Sequence, residues 1–227
     1  MLNLAQFGRT LIIAPHPDDE VLGAGGTIAR LSGMGIPIEI AIATTGRPPA
    51  YSQQAVIGVR EEARAAHDRL GVSHTRWLDL PAAQLGEVAH GEINRAISEV
   101  VLELKPQTIL APFVGDIHMD HQRIFQSVLV AARPHQRHYP VTLLAYETLS
   151  ETNWNAPYLV PSFVPQVFVD ISEILETKIS AFESFRSQIR QPPHERSTAA
   201  LRALASLRGA TVNRPAAEAF VLIRHVM

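Results

Sequence analysis

A chain of 227 residues, 46% of them apolar, is long enough to fold as one α/β domain around a full core. Its formal charge is -2, with acids and bases intermixed and no basic run, which argues against nucleic acid or any other phosphate-backbone partner. With no cysteine, neither a disulfide framework nor a thiolate metal site can form, so any metal must be held by His and carboxylate.

The longest apolar stretches are of strand length and are broken by Pro, Gly or charge. The N-terminus lacks the charged and apolar regions of a signal peptide. Both features lead us to expect a cytoplasmic protein with no transmembrane segment.

The first predicted strand, "TLIIAP" (10–15), runs directly into "HPDDE" (16–20). In open parallel sheets the active crevice lies at the carboxyl ends of the strands, which places His16, Asp18, Asp19 and Glu20 at such a mouth. Adjacent carboxylates repel unless a cation or a proton relieves them. A simpler reading makes Asp18 or Asp19 only the N-cap of the helix that begins near Glu20. Gly23, Gly25 and Gly26 do not form a dinucleotide fingerprint, because the spacing is G-x-G-G and starts past the first turn; they fit close packing of that helix instead.

Further strands are predicted at "PIEIAIATT" (37–45), "TRWLDL" (75–80), "TILAPF" (108–113) and "LLAYE" (143–147). Between them lie helical segments, Gln53 to Leu70 stopped by Gly71, and one whose face carries Ile93, Ile97, Val100, Val101 and Leu104. His67 is assigned to a solvated face of the first of these. The alternation argues for βαβ units and a parallel sheet.

"VGDIHMDHQRI" (114–124) repeats the pattern of strand end entering helix, the helix reading from Asp120 to Arg133. His118 and His121 are three apart and share a helical face if the first turn is helical, and Asp116 and Asp120 lie near enough to orient an imidazole through its second nitrogen. Two His and one carboxylate form a common catalytic zinc set, and the same set holds non-haem Fe(II), so the residues leave the metal open.

Prolines between about 134 and 165 indicate a surface excursion, where Trp154 is either a sugar platform or a loop anchor. Asp170 with Glu173 reads as a helix start, followed by Leu175, Ile179, Phe182 and Ile189 at helical spacing. Phe182 and Phe185 read as core or as a subunit contact. Pro192 and Pro193 break this helix before a last one, Ser197 to Arg208, stopped by Gly209.

"PHPDDEVLGAGGTIARL", "TTG" (44–46), "VREEARAAHDRLGV" (59–72), "HMDH" (118–121) and "KISAFESFRSQ" (178–188) stand in the order in which they occur in the PIG-L/LmbE family, which the chain resembles over most of its length. That family comprises zinc-dependent de-N-acetylases of N-acetylglucosamine-containing substrates. The resemblance implies a single LmbE-like domain over 1–227, an α/β Rossmann-like three-layer fold with a mostly parallel sheet and a C-terminal helical elaboration at about 171–210.

It also implies that His16, Asp19 and His121 bind zinc, with Fe2+ or another divalent ion as the alternative. Asp18 is then the general base toward water. His118 faces the substrate carbonyl, to stabilise the oxyanion or protonate the amine, with Asp120 orienting it. Arg60 lies at the edge of the sugar site, and Glu20 has a supporting role. The resemblance carries an expectation of a small N-acetylated sugar or glycoconjugate as substrate and of a homo-oligomer.

From "PPHERS" (192–197) we expect His194 and Arg196 to contact substrate. The competing functions are hydrolysis of another amide, such as a thiol conjugate or antibiotic sugar, a non-catalytic metal-dependent carbohydrate-binding protein, and an Fe(II) oxygenase.

Overall fold

The computed structural model describes residues 3–72 and 74–227. After a 3₁₀ turn at Leu4–Phe7, the first half alternates regularly: β1 (Thr10–Ala14), α1 (Asp19–Gly33), β2 (Ile38–Thr45), α2 (Gln53–Leu70), β3 (His74–Pro81), α3 (His90–Leu104), β4 (Thr108–Pro112), α4 (Met119–Ala131) and β5 (Thr142–Tyr146). The second half adds β6 (Val167–Asp170), α5 (Leu175–Phe182), α6 (Thr198–Thr211) and β7 (Ala217–His225).

One seven-stranded sheet runs β3-β2-β1-β4-β5-β7-β6. The β1, β2, β3, β4 and β5 pairings are parallel, and β7 lies antiparallel between β5 and β6. Strand residues alternate between two buried clusters. Ile12, Ile40, Leu110 and Leu144 meet α1, α2, α5 and α6 on one face, and Leu11, Ala41, Ile109 and Leu143 meet α3 and α4 on the other. This is the expected Rossmann-like three-layer arrangement.

The chain leaves β1 for β2 and β3 on one side, then returns to place β4 and β5 on the other, so the order reverses between β1 and β4. Both acid-and-His clusters follow those two strands, at the crevice where such sheets bind ligands.

The glycines after the first cluster serve packing, as expected. A Cβ on Gly23 would lie 2.2 Å from Tyr146 Cδ2 and 2.9 Å from the Glu147 carbonyl oxygen, and one on Gly26 would meet Ile171. They also admit a buried ion pair into α1. Lys178 Nζ donates to Glu218 (2.6 Å) and to the Leu22 carbonyl (2.8 Å), and Glu218 accepts from the Gly26 and Thr27 N–H groups. Gly23→Ala is expected to destabilise the protein by about 1–3 kcal/mol, since neither a buried ring nor a backbone carbonyl can yield. Urea unfolding measures it, and an unchanged midpoint would refute this packing.

Four expectations are corrected. Asp170 does not start a helix that runs to Pro192; its carboxylate accepts from the Ser172 N–H and hydroxyl, and α5 spans only Leu175–Phe182, which leaves Ile189 beyond it. The last helix passes Gly209 and ends at Thr211. The fourth helix spans Met119–Ala131 rather than 120–133. The strands β6 and β7 were not expected at all, because "AEAFVLIRH" has no clean alternation and its pairing partners are distant in sequence. Phe182 and Phe185 are fully buried, as core.

Candidate active site

The loop after β1 is anchored before it carries any chemistry. The Thr44 N–H and hydroxyl both donate to the Pro15 carbonyl, at 3.1 and 2.8 Å, and the buried Tyr146 hydroxyl donates to the Ile13 carbonyl at 2.9 Å. Asp18 then turns the chain with φ 119°, a region that residues with a Cβ rarely adopt. Although it occupies the N-cap position of α1, its side chain makes no capping hydrogen bond. The simple capping role therefore fails for Asp18, and strain of this kind gathers where a residue is needed for something else.

The Asp18 N–H donates to Glu20 Oε2 at 3.2 Å, and Glu20 Oε1 meets His67 Nε2 at 2.9 Å, while His67 Nδ1 meets the Thr75 hydroxyl at 2.7 Å. His67 is 2% exposed. The expectation of a solvated His67 is thus corrected: α2 turns this position onto the acidic turn, which helical spacing alone does not reveal. His67→Ala is expected to cost about 1–3 kcal/mol, because it strips a buried carboxylate of its partner. A denaturant midpoint equal to that of the parent would contradict that role.

The second loop brings His118 and His121 to the same mouth. The three imidazoles converge, with ring centroids 4.5 Å apart for His16 and His118, 5.4 Å for His16 and His121, and 5.5 Å for His118 and His121. Asp19 Oδ2 accepts from the His16 N–H at 2.8 Å and lies 3.3 Å from His16 Nδ1 and 3.2 Å from His121 Nε2. His121 Nδ1 is held at 2.8 Å by Asp116, which in turn accepts from the Thr152 hydroxyl at 2.6 Å.

Asp120 faces elsewhere than expected. Its carboxylate meets His16 Nε2 at 3.1 Å and accepts from the Ala83 and Leu85 N–H groups. It does not orient His118 through its side chain; instead the Asp120 N–H donates to His118 Nδ1 at 3.1 Å. The reason is that His118 caps α4, so its Nδ1 is taken by the helix backbone.

Two groups have the spacing of cation donors, His16–Asp19–His121 and His16–His118–Asp120. The first fits better. Asp19 Oδ1 and His121 Nε2 are buried with no hydrogen-bond partner among the described residues, whereas His118 Nδ1 and both Asp120 oxygens are already engaged. Charge points the same way. Against burial, Asp120 and Asp19 hold the His16 imidazole up to about 9, and Asp19 and Asp116 hold His121 well above its ordinary value. Burial works against ionisation of Asp19, but His121 and His16 outweigh it and keep its carboxyl low. A pocket that draws protons onto two imidazoles in this way favours a divalent cation in their place, with neutral His ligands.

Asp18 is 1% exposed, and burial pushes its carboxyl up to about 8 while Arg196 pulls it down. Arg196 Nη1 donates to Asp18 Oδ2 at 3.1 Å, Nη2 lies 3.5 Å from Glu151, and Nε donates to the Ser150 hydroxyl. The segment 192–197 therefore reaches the mouth from its own chain, through Arg196. His194 does not follow it: this exposed residue is absent from the cavity lining, accepts from the Arg196 N–H, and stands 6.1 Å from the half-exposed Trp154 ring.

Arg60 lines the cavity, donates to the Thr45 hydroxyl, pairs with Asp79 and lies 4.6 Å over the Trp77 ring. Glu151 and Gln188 also line the cavity and were not singled out from sequence, where only their distance to the mouth through the fold distinguishes them.

At the switch point of a Rossmann-like sheet, a two-His-one-carboxylate donor set beside a strained, buried Asp is the equipment of a metal-dependent hydrolase. Residues 11–132 match the family described as PIG-L, GlcNAc-PI de-N-acetylase. A protein of Escherichia coli (strain K12) described as the uncharacterized deacetylase YaiS is 31% identical over 186 residues, 78% of this chain and 90% of its own. The diacetylchitobiose deacetylase of Thermococcus kodakarensis is 28% identical over 193 residues, 79% of this chain and 70% of its own. The crystal structure of the conserved protein TT1542 from Thermus thermophilus superimposes with a TM-score of 0.79 at 26% identity, covering 96% of both chains. The chain belongs to the PIG-L family of deacetylases, hydrolases that cleave amide bonds. Among the described residues no helix is long and apolar enough to cross a membrane.

Proposed function

We propose that the chain removes the N-acetyl group from an N-acetylglucosamine-type sugar or sugar conjugate, as one catalytic domain, with zinc held by His16, Asp19 and His121. The observation that carries this reading is the pair of buried, unpartnered donors, Asp19 Oδ1 and His121 Nε2, beside the strained Asp18. When bound, the zinc ion would polarise the amide carbonyl and acidify water.

The chain's own residues do the rest. Asp18 takes a proton from the attacking water and returns it to the departing amine. His118 accepts the Asp120 N–H at Nδ1, so its neutral form carries a proton on Nε2. Burial first, and then the neighbouring His16, push it down to about 4, which keeps it neutral near pH 7. A neutral donor fixed in this way suits stabilisation of the tetrahedral oxyanion better than delivery of a proton. Asp116 and Asp120 fix the orientation of His121 and His16, and Arg196 holds the Asp18 carboxylate.

The test is acetate and free-amine release from N-acetylglucosamine and its simple glycosides by protein reconstituted with zinc, and separately with Fe2+. Release of both products in equal amounts is expected with zinc. Folded protein that binds the metal and yet hydrolyses none of these amides would refute the reading.

A further inference from the structure

Gln188, Ser187 and Glu62, to which the reaction above gives no part, line the same cavity of about 360 Å³ as Asp18 and Arg196. Arg196 connects them to the base. Its backbone closes a loop, where the Arg196 carbonyl accepts from the Arg190 N–H at 2.8 Å and the Arg196 N–H donates to His194 Nδ1 at 3.0 Å. Its guanidinium is then held at two nitrogens. Nε donates to the Ser150 hydroxyl at 3.0 Å, and Nη1 donates both to Asp18 Oδ2 at 3.1 Å and to Gln188 Oε1 at 3.2 Å.

Gln188 has a support of its own. Its Nε2 donates to Ser187 Oγ at 3.1 Å, Ser187 Oγ donates to Glu62 Oε2 at 2.5 Å, and the Ser187 N–H donates to Glu62 Oε1 at 3.0 Å. A guanidinium donates and a carboxylate accepts, so with one at each end every link has a single direction. The Gln188 amide turns its oxygen to Arg196 and its nitrogen to Ser187, and the Ser187 hydroxyl proton goes to Glu62. Hydrogen bonds aligned head to tail polarise one another. The row is anchored on α2, where Ala63 beside Glu62 is fully buried in the core.

The need for this support lies on the other side of the guanidinium. Glu151, 8% exposed, stands 3.5 Å from Nη2, so two carboxylates compete for one planar cation. A guanidinium forks most strongly onto a single carboxylate. Released at Nη1, Arg196 turns toward Glu151 at the expense of Asp18. Gln188 opposes that turn by holding the second Nη1 proton.

We propose that Gln188 is a positioning residue of the hydrolysis, acting through Arg196 to keep Asp18 aimed at the attacking water, with Ser187 and Glu62 fixing its amide. This rests on the deacetylase reading above. A group that acts only on the base changes the chemical step and leaves substrate binding alone, so its loss falls on kcat and not on KM.

The experiment uses Gln188→Met, which replaces the amide by a thioether of similar length. With zinc-loaded protein and the methyl glycoside of N-acetylglucosamine, kcat is expected to fall about ten- to a hundredfold at unchanged KM and metal content, as for a displaced catalytic group. In an Arg196→Lys background the same substitution should add no further loss, because the group it acts through is gone. A raised KM at the parent's kcat makes Gln188 a substrate contact and overturns the proposal. An unchanged kcat, or an equal loss in the Arg196→Lys background, overturns it too.

If Gln188→Met lowers the urea midpoint, the exposed Ser187→Ala decides instead: it removes only the anchor of the amide, and the parent's kcat there overturns the proposal. If the parent hydrolyses no N-acetyl sugar, the deacetylase reading fails and crystal structures of the parent and Gln188→Met are compared. Nη1 displaced from Asp18 toward Glu151 in the variant supports the positioning role, and an unmoved guanidinium overturns it.

Discussion

Asp18→Asn is expected to lower the rate of amide hydrolysis by about 10²- to 10⁴-fold, the usual contribution of a positioned general base, with metal content unchanged. The substitution preserves shape and retains the Asp18 N–H that donates to Glu20, so the strained turn keeps its clamp. Only the capacity to take a proton goes. A base acts in its ionised form, so kcat/KM of the parent should fall as pH drops through the Asp18 pKa. Burial raises that value to about 8 with Arg196 opposing, and a cation on the adjacent donors favours the carboxylate further, which moves the acid limb below 8. The variant's residual rate should lack this limb. Steady-state pH profiles with elemental analysis of both proteins decide it, and a variant with the parent's kcat and acid limb would remove Asp18 from the reaction.

His121→Ala should abolish stoichiometric metal binding and turnover together. His121 is fully buried, offers Nε2 toward Asp19, and is held from behind by Asp116, so its loss removes an oriented donor from the set. Asp116→Asn is the graded form of the same test. Losing the carboxylate behind a ligating imidazole typically weakens metal affinity by about 10- to 100-fold, and Thr152 then loses its charged acceptor as well. Competition with a chelator measures both. Retention of one tightly bound metal per chain by His121→Ala would shift the assignment to the other donor group, His16, His118 and Asp120.

The positions of the clusters were legible because they follow apolar strand runs directly, and a parallel sheet brings the ends of successive strands to one edge. "TLIIA" and "TILAP" became adjacent strands β1 and β4, paired Thr10 to Thr108, which sets HPDDE against HMDH. Pairing within each cluster was legible only in part. Spacing allowed Asp116 and Asp120 to back an imidazole, and both do, but the one expected to serve His118 serves His16, 104 residues away. The burial of His67 escapes helical spacing for a related reason. An isolated polar residue on a polar helix looks solvated unless the buried Glu20 that faces it is known.

The sequence by itself determined the donor chemistry, His and carboxylate in the absence of cysteine, together with the order of strands and helices that places those donors at a sheet edge. These follow from side-chain identity and periodicity, which are local properties. Only the tertiary structure decided that Arg196 crosses 178 residues to hold Asp18, that His194 on the same turn does not reach the cavity, and that α2 lines it with Val56, Val59 and Arg60. Such contacts join segments far apart in the chain, and they are set by how helices pack on the twisted sheet, a many-body outcome that no local spacing encodes.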